Sequence, residues 1–262
     1  MDLELAGKRV LVTGASRGIG LAIVRAFQEE GASVTATARS TTPELEATGA
    51  AFVPADLSTA DGPRRMVEAV LSADPRLDVL VNNAGGGAMP QEALGDPLDG
   101  GDEVWAAGFA LNFEAAVRTV RAALPSLTEA RGAVVNISSD SARRPGSEPL
   151  PYTAAKAALN AFTRQLAERV APSGVRVNAV SPSATRTSVI TGKDGYVAQV
   201  ADSMGVPHDA LVAALPKQNG MLTDTLIEPA EIARAVLLLA SPTMPSAIGA
   251  NWFVDAGSTK TT

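Results

Sequence analysis

Residues Lys8–Gly20 read KRVLVTGASRGIG, an apolar run that ends in a glycine-rich turn. The run Lys8–Thr13 has the composition of a buried strand, and a helical pattern follows the turn until Gly31 ends it. Such a strand–turn–helix unit lets the backbone approach a pyrophosphate and directs the helix N-terminus towards it. We therefore expect a nucleotide site at Gly14–Gly20. The alternative is that the glycines only relieve crowding in a tight turn.

Strands and helices alternate along the remaining chain. Helical patterns, the longest over about 102–130 and 152–171, separate six further strand-like segments. These segments are Ser33–Ala38, Ala51–Pro54, Asp78–Val81, Ala133–Val135 with Ile137, Arg176–Val180 and Asn251–Val254. The alternation predicts an α/β fold with a doubly wound, seven-stranded parallel sheet and helices on both faces. No linker or repeat divides residues 1–262, so we expect a single domain.

The composition argues against several classes of protein. The chain has 262 residues, 46% of them hydrophobic, which is enough for a sizeable core. It has no cysteine and one histidine, His208, so we expect neither a disulfide nor a metal site. The net charge of −6 argues against nucleic acid as a partner, and no apolar run is long enough for a membrane span. A cytoplasmic protein is the simplest interpretation.

The segment Asn136–Lys156, NISSDSARRPGSEPLPYTAAK, contains groups for acid–base chemistry. Tyr152 and Lys156 are four residues apart, so on a helix their Cβ atoms lie about 5–6 Å apart. For work near neutrality the tyrosine pKa must fall by about 3 units, and burial alone would raise it. We therefore expect the ammonium to lower the pKa of the phenol, while a serine hydroxyl holds the substrate oxygen. Such groups can protonate a carbonyl oxygen, or deprotonate an alcohol, while hydride moves to or from carbon.

These motifs resemble those of the short-chain dehydrogenase/reductase family. Ser139 stands thirteen residues before Tyr152, Tyr-x-x-x-Lys follows, and the glycine turn has the pattern T-G-x-x-x-G-x-G. The resemblance extends from Lys8 to about Gly257, nearly the whole chain. It implies a Rossmann fold and hydride transfer between a nicotinamide cofactor and a carbonyl or secondary alcohol. The family mostly forms dimers or tetramers through its two long helices, so a homodimer or homotetramer is also implied.

The resemblance assigns four catalytic residues. Tyr152 is the general acid/base, Lys156 lowers its pKa and bonds the nicotinamide ribose, and Ser139 orients the substrate oxygen. Asn112 lies in the stripe that the helix over 102–130 should bury, where the family uses an asparagine to bend the helix and hold a relay water. A bond from Asn112 to the neighbouring backbone is the alternative. Ser138 lacks the family spacing and is assigned a structural role.

The end of the second strand predicts the cofactor. An NAD enzyme usually places an acid there to hold the ribose hydroxyls, whereas this chain has Ala38-Arg39-Ser40. Arg39 can form a charge-assisted fork with a 2′-phosphate, and Arg17 in the glycine turn adds a second cation. Together they favour NADP(H), and solvated surface arginines are the alternative.

The resemblance implies further cofactor contacts. Asp56, followed by Leu57, would accept from the adenine amino group or would only cap the next helix. The motif Asn82–Gly85 resembles the family's N-N-A-G, and Pro182–Thr187 resembles P-G-x-x-x-T with Ser183 in place of the glycine. The predicted cofactor-binding residues are Gly14, Ser16, Arg17, Gly18, Ile19, Gly20, Arg39, Asp56, Leu57, Asn83, Ala84, Gly85, Tyr152, Lys156, Pro182, Thr185 and Thr187.

Residues 188–227 and two loops surround the expected substrate site. The family has a substrate lid at 188–227, whose apolar content predicts a substrate with hydrocarbon bulk; ordinary helix packing is the alternative. Residues 86–101 form a Gly- and Pro-rich loop expected at the site rim. Arg143 and Arg144 either meet an anionic group, such as a phosphopantetheine-linked acyl chain, or are solvated.

The sequence thus predicts an NADP(H)-dependent carbonyl reductase or alcohol dehydrogenase, with ketone reduction as the expected direction. The competing hypothesis is an NADP(H)-binding sensor or scaffold protein without turnover. Such a protein would be expected to lose a catalytic residue, and all four are present.

Overall fold

The computed structural model describes residues 1–87, 90, 93, 96–146 and 148–260. Parts of the predicted rim loop, at 88–89, 91–92 and 94–95, lie outside the described residues, as do residue 147 and the last two residues of the chain. Seven strands form one sheet in the order β3-β2-β1-β4-β5-β6-β7, and all six pairings are parallel. The strands are β1 Arg9–Thr13, β2 Ser33–Ala38, β3 Ala51–Pro54, β4 Val79–Asn82, β5 Ala133–Ile137, β6 Arg176–Pro182 and β7 Asn251–Val254. The predicted fold class is confirmed.

Helices cover both faces of the sheet. They are α1 Gly18–Glu29, α2 Pro43–Glu46, α3 Gly62–Ala73, α4 Asp102–Phe109, α5 Ala115–Ala130, α6 Leu150–Val170, α7 Ser188–Thr191, α8 Tyr196–Met204, α9 His208–Gln218 and α10 Pro229–Ala240. A π-helical turn, Ala110–Glu114, joins α4 to α5 and makes the predicted long helix continuous. None of the helices in the described part of the chain has both the length and the apolar character that crossing a membrane requires.

The period-2 pattern of the strands sorts their side chains into two cores. Val10 and Val12 pack with α1 and α10 on one face, while Leu11 packs with α3, α5 and α6 on the other. β4 and β5 alternate in the same way. Strands buried on both faces explain why these segments read as continuous apolar runs in the sequence.

The strand order reverses between β1 and β4, because β2 and β3 lie on one side of β1 and β4 to β7 lie on the other. In open α/β sheets the crevice at the carboxyl ends of the strands, at such a reversal, is where ligands bind. The glycine turn after β1 and the Asn83–Gly85 segment after β4 meet at this point. The topology therefore places the predicted nucleotide motifs together.

The segment 188–227 is more firmly packed than its sequence suggests. Val197, Leu211 and Leu215 are buried and belong to the same core as α1 and α10. His208 begins α9, and its Nε2 lies 2.9 Å from the carbonyl oxygen of Ile190. Helix packing accounts for much of the apolar content of this segment, so that content no longer indicates a substrate with hydrocarbon bulk.

Ala256 has a left-handed backbone, with φ 51°, in the turn after β7. A side chain in this region costs about 1–2 kcal/mol, so Ala256→Gly should raise the free energy of unfolding by about 0.5–1 kcal/mol after the greater flexibility of unfolded glycine is counted. Chemical denaturation measures the change. Ala250→Gly, at a position outside the left-handed region, is the matched control and should not stabilise the protein. Equal effects of the two substitutions would refute the strain at Ala256.

Candidate active site

The glycine turn after β1 is built for close approach of the backbone. Gly14 has φ 63°, and a Cβ added there would lie 2.8 Å from the Cα of Ala84. A Cβ on Gly20 would lie 2.3 Å from the Gly14 carbonyl oxygen. The Asn83 amide donates to that same oxygen at 3.0 Å and to the Thr13 carbonyl at 2.9 Å. The asparagine thus ties the turn after β1 to the end of β4.

A cleft with two connected lobes opens at this edge of the sheet. The inner lobe has a volume of about 310 Å³ and is lined by the N-terminus of α1, the ends of β4, β5 and β6, and Ser139, Tyr152 and Lys156. The outer lobe, of about 920 Å³, extends past Tyr152 towards Arg17 and Arg39. Tyr152 lines both lobes, so its phenol lies where they meet.

Most predicted cofactor residues line this cleft. They are Gly14, Arg17, Gly18, Ile19, Gly20, Arg39, Asn83, Ala84, Gly85, Tyr152, Lys156, Pro182, Thr185 and Thr187. The N-terminus of α1 has no side-chain cap, so its backbone N–H groups can serve a pyrophosphate. Ser183 has a buried hydroxyl with no hydrogen-bond partner among the described residues, and it lines the same inner lobe. These residues would hold a dinucleotide along the cleft.

Ser16, Asp56 and Leu57 do not line either lobe. The Ser16 carbonyl accepts from the Thr42 hydroxyl at 2.7 Å, which anchors its backbone. The Leu57 side chain is buried in the core with α3 and does not reach the cleft. Asp56 accepts from the Ser58 hydroxyl at 2.6 Å and from its N–H at 3.0 Å. These bonds, helped by Arg39, hold the Asp56 pKa below its usual value. The carboxylate therefore stabilises the turn before α3, close to the capping alternative considered from the sequence.

Lys156 is buried and its ammonium donates to the Ile137 carbonyl at 2.8 Å. Its Nζ lies 5.7 Å from the centre of the Tyr152 ring. A Cβ added to Gly85 would lie 3.1 Å from the same Nζ and 2.8 Å from Oδ1 of Asn112. The structure thus brings Asn112 and Lys156 together at Gly85, where a larger residue would displace them, and places the Tyr152 ring beside Lys156.

The pKa of Tyr152 moves opposite to the sequence expectation. Burial raises it to about 12, and the carboxylates of Glu148 and Asp140 add to the rise, while a hydrogen bond with Ser139 lowers it. Burial also lowers the Lys156 pKa to about 8. Burial therefore sets the direction of the Tyr152 pKa in the protein alone, and the lowering by Lys156 during catalysis stays a prediction. Desolvation and two nearby anions outweigh the amine, whose proton bonds a backbone carbonyl.

Asn112 lies in the π-helical turn and is buried, as predicted. Its Oδ1 accepts from the Gly86 N–H at 2.9 Å, and its Nδ2 donates to the carbonyls of Gly86 at 3.1 Å and Gly108 at 2.9 Å. Asn112 therefore bonds to the neighbouring backbone, which was the alternative considered from the sequence. Asn112 thus lies in the π-helical turn between α4 and α5, a feature that occurs frequently at functional sites.

Comparison with known proteins connects this geometry to a family. A family profile described as enoyl-(acyl carrier protein) reductase matches residues 14–259. The L-fucose dehydrogenase of Bos taurus is 36% identical over 235 residues, which cover 82% of this chain and 84% of that protein. The chain belongs to the short-chain dehydrogenase/reductase family. It is an oxidoreductase of this family that acts on CH–OH and C=O groups, as the sequence predicted.

Two further relatives of this short-chain dehydrogenase/reductase match over their full lengths. The 3-oxoacyl-(acyl-carrier-protein) reductase of Chlamydia pneumoniae is 31% identical over 268 residues, covering 99% of this chain and 100% of that protein. A solved structure of L-sorbose reductase from Gluconobacter frateurii, complexed with NADPH and L-sorbose, superposes with a TM-score of 0.88. It is 30% identical, and each chain covers 100% of the other.

Ser183 stands where short-chain dehydrogenases usually have glycine, which placed the following loop in doubt. Its φ lies outside the left-handed region, so the serine fits without strain. The Thr185 hydroxyl donates to the Ser183 carbonyl at 2.8 Å, and the Thr187 methyl packs 3.1 Å from the Cβ position of Gly18. The loop therefore keeps both threonines at the inner lobe.

Two residues of the cleft, Glu148 and Tyr196, were not predicted from the sequence. Glu148 lines the inner lobe, and its Oε2 is buried with no hydrogen-bond partner among the described residues. Tyr196 lines both lobes, and burial with the carboxylates of Asp99 and Glu148 raises its pKa to about 12. Glu148 lies four residues before Tyr152 and was available to the argument, whereas only the fold brings Tyr196 to the cleft.

Proposed function

We propose that this protein is a reductase of small, uncharged carbonyl compounds that carry hydroxyl groups, such as ketoses. Its cofactor is NADP(H). The proposal rests on one observation: the Tyr152 side chain lines both lobes of the cleft, with Ser139 and Lys156 in the inner lobe. The glycine turn and Glu148 line the inner lobe, Arg39 lines the outer lobe, and Arg17 and Tyr196 line both.

The protonation state of Tyr152 supports reduction. With a pKa of about 12, the phenol carries its proton at neutral pH and can donate it to a carbonyl oxygen. The bound NADPH supplies the hydride. Ser139 holds the same oxygen by a hydrogen bond, and the fixed ammonium of Lys156 stabilises the negative charge that the phenol acquires. The rate of reduction should therefore fall as the pH rises through about 8, where Lys156 loses its stabilising charge, while the phenol still carries its proton.

Charges at the cleft disfavour an anionic carrier-bound substrate. Arg143 stacks on the Phe253 ring at 5.6 Å, and Arg144 donates to Asn219 at 3.4 Å, so both arginines have contacts within the chain. Neither lines a lobe, whereas Glu148 and Asp140 line the inner one. Burial raises the pKa of Glu148 and favours its neutral form, so the repulsion of phosphate falls mainly to Asp140. In either form the Glu148 carboxyl can accept a hydrogen bond from a substrate hydroxyl.

The names of the relatives indicate different substrate classes, since some are sugar enzymes and one is an acyl-carrier reductase. The charges of the cleft favour the sugar enzymes.

The experiment compares NADPH consumption, followed by its near-ultraviolet absorbance, with ketoses, simple ketones and 3-oxoacyl thioesters. Fastest turnover of a ketose supports the proposal. Preference for the thioester would contradict the substrate class, and NADPH binding with no turnover of any compound would favour a sensor or scaffold.

The wider organisation is also proposed. We expect one domain, with residues 188–227 as a lid, because Val189 and Tyr196 line both lobes from α7 and α8. We expect a homodimer or homotetramer formed through the exposed faces of the helices over 102–130 and 150–170, which light scattering would test. A cytoplasmic location stays a prediction.

Glu148 gives the substrate class its sharpest test. Glu148→Leu should lower kcat/KM for a ketose by about tenfold or more, because the hydroxyl of the substrate loses its acceptor. A simple ketone without hydroxyls should be affected far less. Glu148→Gln keeps a carbonyl acceptor and is the matched control, expected to retain most of the activity. Equal losses for the two substrates would refute a role in hydroxyl recognition.

A further inference from the structure

The C-terminal segment 255–260 reaches the loop that carries Ser139. Ser258 is 1% exposed, and its hydroxyl donates to Oδ2 of Asp140 at 2.7 Å. Asp140 immediately follows Ser139 and is 2% exposed. A contact between residues 118 positions apart therefore adjoins the predicted substrate-orienting serine.

The hydrogen bonds that Ser139 accepts leave only its hydroxyl proton available for a substrate. A serine oxygen has two lone pairs and one proton. The Ser139 oxygen accepts from the Ser141 hydroxyl at 2.9 Å and from the Ser141 N–H at 3.2 Å, which fills its acceptor capacity. Ser139 can therefore act on a substrate oxygen only by donating its own proton.

Besides the phenol oxygen of Tyr152, whose pKa a hydrogen bond with Ser139 lowers, Asp140 competes for that proton. Its Oδ1 lies 3.4 Å from the Ser139 oxygen, a long contact, whereas its Oδ2 has the short bond from Ser258. No cation of the described residues lies within ion-pair distance of this carboxylate. A buried anion without a cation depends on its hydroxyl donors, and these are Ser139 and Ser258.

We propose that Ser258 is a positioning residue, which satisfies Asp140 and so leaves the Ser139 proton free for the substrate oxygen. Asp255 holds Ser258 in place, because its carbonyl accepts the Ser258 N–H at 3.0 Å. The Asp255 carboxylate is bonded in turn by the N–H groups of Gly257 at 3.0 Å and Thr259 at 2.9 Å. The turn after β7 thus sets the hydrogen bonding of a residue at the end of β5.

Ser258→Ala is the test, and it rests on the proposed reductase activity. We expect kcat for carbonyl reduction to fall by about tenfold, with KM for NADPH unchanged. The reason is that the Ser139 hydroxyl then donates its hydrogen bond to Asp140 instead of to the substrate oxygen. In a Ser139→Ala background the same substitution should change kcat by less than about twofold, because the Ser139 hydroxyl proton for which Asp140 competes is absent. A purely structural role would lower kcat by the same factor in both backgrounds and would overturn the proposal.

Two further variants keep the test decisive. Thr259→Ala is the matched control, because the Thr259 hydroxyl has no hydrogen-bond partner among the described residues while its N–H still bonds Asp255. It should leave kcat unchanged.

If Ser258→Ala does not fold, Asp140→Asn removes the competing anion. Ser258→Gly in that background should then lower kcat by less than about twofold. A wild-type protein without carbonyl reduction would overturn the proposed function, whereas an active wild type with an unaffected Ser258→Ala would overturn this inference alone.

Discussion

Tyr152→Phe should lower kcat for carbonyl reduction by about 10²–10⁴-fold, because the reaction loses its proton donor. Phenylalanine keeps the ring that lines both lobes and removes only the hydroxyl and its hydrogen bond with Ser139. The affinity for NADPH, measured by fluorescence titration, should stay within about threefold. The loss should therefore fall on the chemical step.

A second tyrosine in the same cleft provides the control. Tyr196 also lines both lobes and also has a pKa raised to about 12, but it begins α8 rather than following the β5 loop. Tyr196→Phe should change kcat far less than Tyr152→Phe. Turnover that survives in Tyr152→Phe, or an equal loss in both variants, would remove the assigned proton donor.

Arg39→Asp should reverse the preference between the two nicotinamide cofactors. The substitution removes a cation that can hold the 2′-phosphate and places an acceptor where NAD presents ribose hydroxyls. Charge-assisted hydrogen bonds are worth about 1.5–3 kcal/mol each, so the ratio of kcat/KM for NADPH to that for NADH should fall by about 10²–10³-fold. Steady-state kinetics with both cofactors measures this ratio.

Arg39 also lies near Asp56 and helps to hold its pKa low, so the added acid has a second effect. Arg39→Ala separates the two effects, because it removes the cation without adding an anion, and it should give an intermediate ratio. Arg25→Asp, at an exposed arginine in the middle of α1, is the matched control for net charge and should leave the ratio unchanged. A ratio that does not move in Arg39→Asp would refute the cofactor assignment at this residue.

The sequence was sufficient for the architecture because every strand is a short apolar run bounded by turn residues. The glycine turn, the Asn83–Gly85 segment and Tyr152 with Lys156 were placed correctly because parallel strands deliver their carboxyl ends to one edge of the sheet. Helix starts were less accurate. The predicted helix over about 152–171 begins at Leu150, two residues earlier than its pattern indicated.

The electrostatics could not be predicted from spacing. The i, i+4 relation of Tyr152 and Lys156 suggested that the amine dominates, but the pKa of the phenol depends on desolvation and on Glu148 and Asp140. The contribution of Ser258 was equally hidden, since nothing in the sequence pairs it with Asp140. Long-range contacts between polar residues have no periodic signature, so only the fold reveals them.

A crystal structure of the ternary complex with NADP⁺ and a polyol product tests the central claim most directly. The account predicts that the reacting oxygen lies within about 3.2 Å of both the Tyr152 and Ser139 hydroxyl oxygens, and that a second hydroxyl bonds the Glu148 carboxylate. A reacting oxygen bound elsewhere in the cleft, with Tyr152 out of hydrogen-bond distance, would contradict it.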